Sequence, residues 1–182
     1  PRSQEGRNVL RDAIRRLADL NMRAPADLMR RVLQGMLVRG RGGILNVASL
    51  GGLVPGPNQA VYYASKAFLV SLTEAVAREC AGHGVKVSVL VPGPVATKFH
   101  ARMGAEQSYY LSILGARSVE SVARAGYRGL VWGRVLIPAG IIDHLHVLAL
   151  RLIPHTVTNP VIGWMLRRRG TEDDDASGKG GQ

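Results

Sequence analysis

An α/β fold with parallel strands is what this sequence predicts, on three observations. Two short apolar runs, Ile44–Ala48 and Val85–Val91, have the length and continuity of strands covered on both faces. A helical stretch from about Gln59 to Ala81 separates them, and strand–helix–strand makes a right-handed parallel crossover the default. Glycines mark the joints: Gly40, Gly42 and Gly43 before the first run, Gly82 and Gly84 before the second. At 182 residues the chain can close one domain around a real core.

The elements follow in order. Residues 1–8 carry no periodicity and read as a frayed start. From Leu10 to Leu37 apolar residues fall at Leu10, Ile14, Leu17, Ala24, Leu28, Val32 and Met36, a helical stripe, with arginines on the other faces. Asn21 stands on that stripe, and a buried amide persists only when hydrogen-bonded. Pro25 lacks an amide hydrogen, so the carbonyl of residue 21 loses its usual partner, and a kink or a held water is expected there. On the next helix Phe68, Leu69, Leu72 and Ala75 are core candidates. Ala101–Ser112 is polar, Val119–Leu130 reads as a helix, and Val135–Ile137 as a last short strand. Ile141–Arg169 reads as two leucine-rich helical pieces broken by Pro154 and Pro160. The end, TEDDDASGKGGQ, is disordered by composition. The expected division is 1–138, a helical extension 139–169, and a tail 170–182.

Chemistry concentrates between Ile44 and Lys66. Ser49 stands at the carboxyl end of the first strand, where open α/β sheets bind ligands. Tyr62 and Lys66, four apart on the following helix, share a face. A phenol titrates near ~10, and a neighbouring ammonium favours the phenolate. Tyr62 with Lys66 and Ser49 is thus a proton donor and acceptor for an alcohol or carbonyl. Tyr63, three residues from Lys66, is the physical rival to Tyr62.

Ser49, a thirteen-residue gap and then Tyr62-x-x-x-Lys66, followed by the Pro92–Gly93 loop of VLVPGPVATKF, resembles the short-chain dehydrogenase/reductase family. The resemblance implies the carboxyl-terminal half of a Rossmann-like, doubly wound parallel sheet, with extra C-terminal helices. It implies NAD(P)-dependent oxidation and reduction, with Tyr62 as acid and base and Ser49 on the substrate oxygen. Lys66 would tune the phenol and bind the nicotinamide ribose, and Asn21 matches the family's asparagine whose main-chain carbonyl holds a water. Tyr62, Lys66, Pro92, Gly93, Val95 and Thr97 would meet the cofactor, NAD or NADP. The resemblance also implies a homodimer through the two long helices and a substrate lid near Ala101–Ser112. The family's glycine-rich strand–turn–helix for the pyrophosphate is not in this sequence. An inactive remnant that at most dimerises is therefore the alternative reading.

Other classes are weighed against the residues. A net charge of +11, with half the arginines in the first 41 residues, suits nucleic acid. Neither interleaved aromatics nor a nucleic-acid motif accompanies it, so a solvated basic face is expected. Cys80 excludes an internal disulfide and reads as a buried helix residue. His144 and His146 diverge on a helix without ligand partners, so no metal is expected. A serine hydrolase at Ser49 lacks the G-x-S-x-G elbow. With no signal-like opening and no apolar run near ~20 residues, a cytoplasmic location is expected. The leucine-rich extension is expected to cover a pocket for a bulky apolar carbonyl or alcohol, with a peripheral membrane surface as the alternative. Finally, the first strand is expected to have an unpaired, apolar edge, because no neighbour for it is encoded here.

Overall fold

The computed structural model describes residues 4–95 and 116–166, and three parallel strands organise them. Strand β1 is Gly42–Val47, β2 is Val85–Val91 and β3 is Leu136–Pro138, in the order β1–β2–β3. Ile44 stands opposite Val87, and Leu90 opposite Ile137. β2 lies between two neighbours and is buried at every position but Lys86. β1 has a neighbour on one side only among the described residues, and none of its residues is fully buried.

The first long helix is really two. Helix α1 spans Gln4–Ala18 and α2 spans Ala24–Arg39, joined by a π turn at Asp19–Arg23. In that turn the amide of Ala24 reaches back to the carbonyl of Asp19. Pro25, in the first turn of α2, has no amide to offer the carbonyl of Asn21, and the helix adapts by taking in one extra residue. The disturbance expected at Asn21 takes the form of this π turn. α2 stops at Gly40, whose φ of 62° is left-handed and whose amide caps Leu37 and Met36.

Helix α3, Ala60–Glu79, and the 3-10 turn Leu50–Leu53 pack with β2 on one face of the sheet, around Leu69, Val70, Val89 and Val91. Helix α4, Val119–Val131, covers the other face through Val122, with Leu90 and Ile137 beneath it. Helices on both faces make the fold doubly wound and Rossmann-like, as the sequence predicts. Helices α5, Ile141–Leu152, and α6, His155–Met165, follow β3.

Three details differ from expectation. Leu28 and Val32 do not enter the core; Met29 does, with Leu33 and Met36 beside it, while Leu28 and Val32 face the open side of β1. Ala75 is exposed, and Thr73 takes the buried place on α3. Pro160 does not break the last helical piece but sits inside α6, with Pro154 as its N-cap. Proline there gives up the hydrogen bond to the carbonyl of Thr156 and crowds that carbonyl with its ring, yet the helix continues to Met165. Cys80 is buried as expected, and burial, with Glu79 nearby, raises its thiol pKa.

Candidate active site

β1 ends at Val47, and Ser49 follows in extended backbone. Its Oγ accepts from the amide of Gly51 at 3.1 Å, which starts the 3-10 turn and fixes the hydroxyl at the sheet's carboxyl end. The same hydroxyl stands close enough to the phenol of Tyr62 to lower its pKa. Lys66 lies one turn further along α3, its Nζ 5.8 Å from the centre of the Tyr62 ring. Spacing alone places these three together, and the structure brings them together.

The electrostatics run against one expectation. Burial raises the Tyr62 phenol, and the Ser49 hydroxyl offsets this only in part. Lys66 does not pull it down here, because its Nζ donates instead to the carbonyl of Val47 at 3.2 Å. Ala48 donates to Leu90 of β2, so by the alternation of a parallel strand the Val47 carbonyl faces the open side of β1. Lys66 therefore fills the last acceptor of an unpaired edge. Burial lowers its own pKa.

Tyr63 is separated from its neighbour by packing. It is buried among Val54 and Leu166, pressed against Gly56, where a Cβ would come within 2.2 Å of its ring. Burial and then the charge of Tyr62 push its phenol up to about 12. Asn21 reaches the site indirectly. Its Nδ2 donates to Ser65 Oγ at 3.4 Å, and Ser65 Oγ donates to the carbonyl of Tyr62 at 2.7 Å. Asn21 and Lys66 also line one groove of about 590 Å³ along the open edge of β1, walled by Leu28, Val32 and Met36 of α2.

The loop after β2 is held from three sides. Pro92 accepts from the amide of Leu50 at 3.0 Å, and Pro94 from the amide of Arg117 at 2.9 Å. Val95 forms a parallel bridge to Arg117. The Arg117 guanidinium pairs with Asp143 of α5 at 3.0 Å, and Asp143 is buried against Gly93, where a Cβ would lie 3.0 Å from its Oδ1. Glycine at 93 is what lets the carboxylate come so close.

A family model described as short chain dehydrogenase matches residues 2–108, more than half of the chain. The chain belongs to the short-chain dehydrogenase family. Among curated members, the inactive 2-(S)-hydroxypropyl-CoM dehydrogenase 2 of Xanthobacter autotrophicus is 49% identical over 65 residues, covering 36% of this chain and 28% of that protein. A ketoacyl reductase of Nostoc is 41% identical over 83 residues, 46% of this chain and 29% of that one. This short-chain dehydrogenase chain thus spans under half the length of the curated relatives it matches. In fold it resembles a short-chain dehydrogenase of Burkholderia cenocepacia in complex with NADP, with a TM-score of 0.68 and 22% identity over 83% of this chain and 61% of that one. A short-chain dehydrogenase of Sphingobium yanoikuyae in complex with NADPH gives a TM-score of 0.65 and 23% identity, over 93% and 60%.

Of the residues this family resemblance nominates, Asn21, Ser49, Tyr62 and Lys66 converge at the open end of β1. Pro92, Gly93 and Val95 form the neighbouring loop, while Thr97 and the Ala101–Ser112 segment lie outside the described residues. Sequence reasoning missed Ser65, which links Asn21 to Tyr62, and the Arg117–Asp143 pair. It also passed over Asn46, whose Nδ2 donates to Thr73 Oγ1 at 2.8 Å and touches Met29 Sδ at 3.0 Å, tying β1 to both flanking helices. A polar residue inside an apolar strand is the signal that could have found it.

Proposed function

We propose that this chain carries the proton-handling and substrate side of an NAD(P)-dependent oxidoreductase acting on a carbonyl or alcohol. What supports this is the Ser49 hydroxyl beside the half-buried Tyr62 phenol, whose pKa it lowers, at the carboxyl end of β1. Tyr62 Oη gives its proton to a carbonyl oxygen, or takes one from an alcohol, and Ser49 Oγ donates to the same oxygen as charge develops. Burial holds the Tyr62 phenol in its protonated form, the form that donates to a carbonyl oxygen. Lys66, released from Val47, would then approach the phenol and lower it. Asn21, through Ser65, holds the backbone of Tyr62 in place.

A nicotinamide cofactor, NAD or NADP, supplies or accepts the hydride when bound. The nicotinamide end of such a group fits what is present. Lys66 offers a donor at the groove mouth, and Gly93 keeps side chain out of the loop after β2. Tyr62, Lys66, Pro92, Gly93, Val95 and Thr97 would hold that end. The pyrophosphate end has no glycine-rich turn among these 182 residues.

The test is a pair of substitutions in a catalytically competent assembly. Tyr62→Phe should cut turnover at least ~100-fold, the scale of general acid–base loss, and Tyr63→Phe far less. Equal losses, or loss at Tyr63 alone, would put the acid on the other ring. The open edge of β1 favours a second reading, in which these residues alone are a non-catalytic remnant that dimerises through α1–α2 and α3. On that reading, titrating the purified chain with NADH and NADPH leaves nicotinamide fluorescence and the thermal melt unchanged, and sedimentation at micromolar concentration shows a dimer. A cooperative melt that rises with cofactor removes it.

A further inference from the structure

α5 and α6 carry more apolar surface than the fold uses. On α5, Asp143, Val147 and Leu150 turn toward the body of the protein. The opposite side shows Ile141, Leu145, Leu148 and Leu152, with Ile141 83% and Leu152 72% exposed. At 3.6 residues per turn, that spacing confines all four to an arc of about 60°. α6 repeats the arrangement. Thr158, Ile162 and Leu166 face inward, and Val157, Val161 and Trp164 are more than half exposed at the same intervals of four and three. Both inward faces line one apolar cavity of about 140 Å³, over Leu50, Val54 and Tyr63, so both stripes point away from it. Of the apolar residues in the two helices, only Leu150, Ile162 and Met165 line that cavity.

Charge says what the stripes would meet. From Ile141 to Arg169 the only carboxylate is Asp143, which is buried and paired with Arg117. The cations are Arg151 and, directly after α6, Arg167, Arg168 and Arg169; carboxylates resume only at Glu172. An apolar stripe bearing an indole, free of exposed carboxylates and ending in three arginines, is complementary to an anionic lipid surface. The helices have 12 and 11 residues, about 18 and 16 Å at 1.5 Å per residue, too short to cross a bilayer. No helix among the described residues is long and apolar enough to do so. We infer that α5 and α6 lie in the plane of an anionic membrane, with Ile141, Leu145, Leu148, Leu152, Val157, Val161 and Trp164 set among the acyl chains.

The test is flotation of the full 182-residue chain through a density gradient, because aggregates sink while vesicle-bound protein rises. Vesicles of phosphatidylcholine alone are compared with vesicles holding one third phosphatidylglycerol. Protein should rise with the anionic vesicles and stay bound, in part, at 0.5 M salt. Leu145→Gln with Leu148→Gln, both at exposed positions, should lower the bound fraction at least fivefold at 0.5 M salt with the far-ultraviolet circular dichroism unchanged. In a Trp132→Phe chain, which leaves Trp164 as the sole indole, emission should shift to shorter wavelength on adding anionic vesicles. This readout needs no destabilising change in the stripe. Binding that vanishes in salt, or survives the double substitution, would place it on the arginines alone and overturn the inference. So would a concentration-dependent self-association that the same double substitution abolishes without any vesicle effect, which would assign the stripes to a second copy of the chain.

Discussion

β1 and β2 are written in nearly the same alphabet and end in different circumstances. ILNVA and VKVSVLV are both apolar runs broken by few polar residues, Asn46 in the first and Lys86 and Ser88 in the second. Val89 and Val91 of β2 are wholly buried, whereas Val47 of β1 is 54% exposed. Composition does not separate them; position in the sheet does. Among the described residues β2 has hydrogen-bonded neighbours on both sides and helices on both faces, while β1 has one neighbour and a groove. The lesson is that an apolar strand records the surroundings it suits and cannot supply them. The closed side of this sheet holds its own packing, and the open side holds Asn21 and Lys66 beside unfilled space.

Five substitutions and one titration sharpen that contrast. The largest effect is expected on the closed side, at the Arg117–Asp143 pair. Arg117→Met leaves a buried carboxylate without its partner, which costs about 3–5 kcal/mol. Urea unfolding followed by circular dichroism should show that loss, and Arg117→Met with Asp143→Leu should recover most of it. A single substitution costing under 1 kcal/mol would show that the pair holds nothing together. Next come two leucines of equal size. Leu90→Ala, between α4 and β3, should cost about 2–5 kcal/mol, and Leu28→Ala, facing the groove, no more than about 0.5. Similar losses at both would mean that the groove is filled in solution.

The smallest effect is a matter of pH. Tyr63 titrates near 10 when unfolded and is pushed up to about 12 when folded. A raised folded pKa means that the native state favours the protonated phenol. The associated stability is complete below pH 10 and is lost as pH rises from there through about 12. Midpoints of urea unfolding should fall across that window, and fall less in Tyr63→Phe. An unchanged slope in that variant would locate the loss at another group.

Much of the site was legible because it is local. The strand end at Ser49 and the four-residue step from Tyr62 to Lys66 are consequences of strand and helix geometry, and the structure keeps them. The irregularity at Asn21 was legible for the same reason, since Pro25 acts on the carbonyl four residues behind it. What sequence could not give was distance across the fold. Arg117 and Asp143 lie 26 positions apart on different elements, and nothing in either neighbourhood announces the other. Nor could it say whether Lys66 would face Tyr62 or the end of β1, which decides the sign of the phenol's shift. The leucines of α5 were visible as a count, but their direction follows only once β3 has set the helix's roll against the sheet.

The π turn at Asp19–Arg23 has a geometric corollary for the helix before it. One surplus residue in a helix advances its phase by about 100°, so α1 and α2 are two screws cut out of step. Everything upstream, including Arg11, Arg15 and Arg16, takes its compass bearing from that single inserted position. Deleting Met22 would let α1 and α2 merge into one regular thread, and it would swing the whole of α1 by more than a quarter of a circle against α3, which it packs on. Asn21 would turn with it and lose its reach to Ser65. One residue thus serves as an indexing pin, setting at once where the basic face points and whether the amide meets α3.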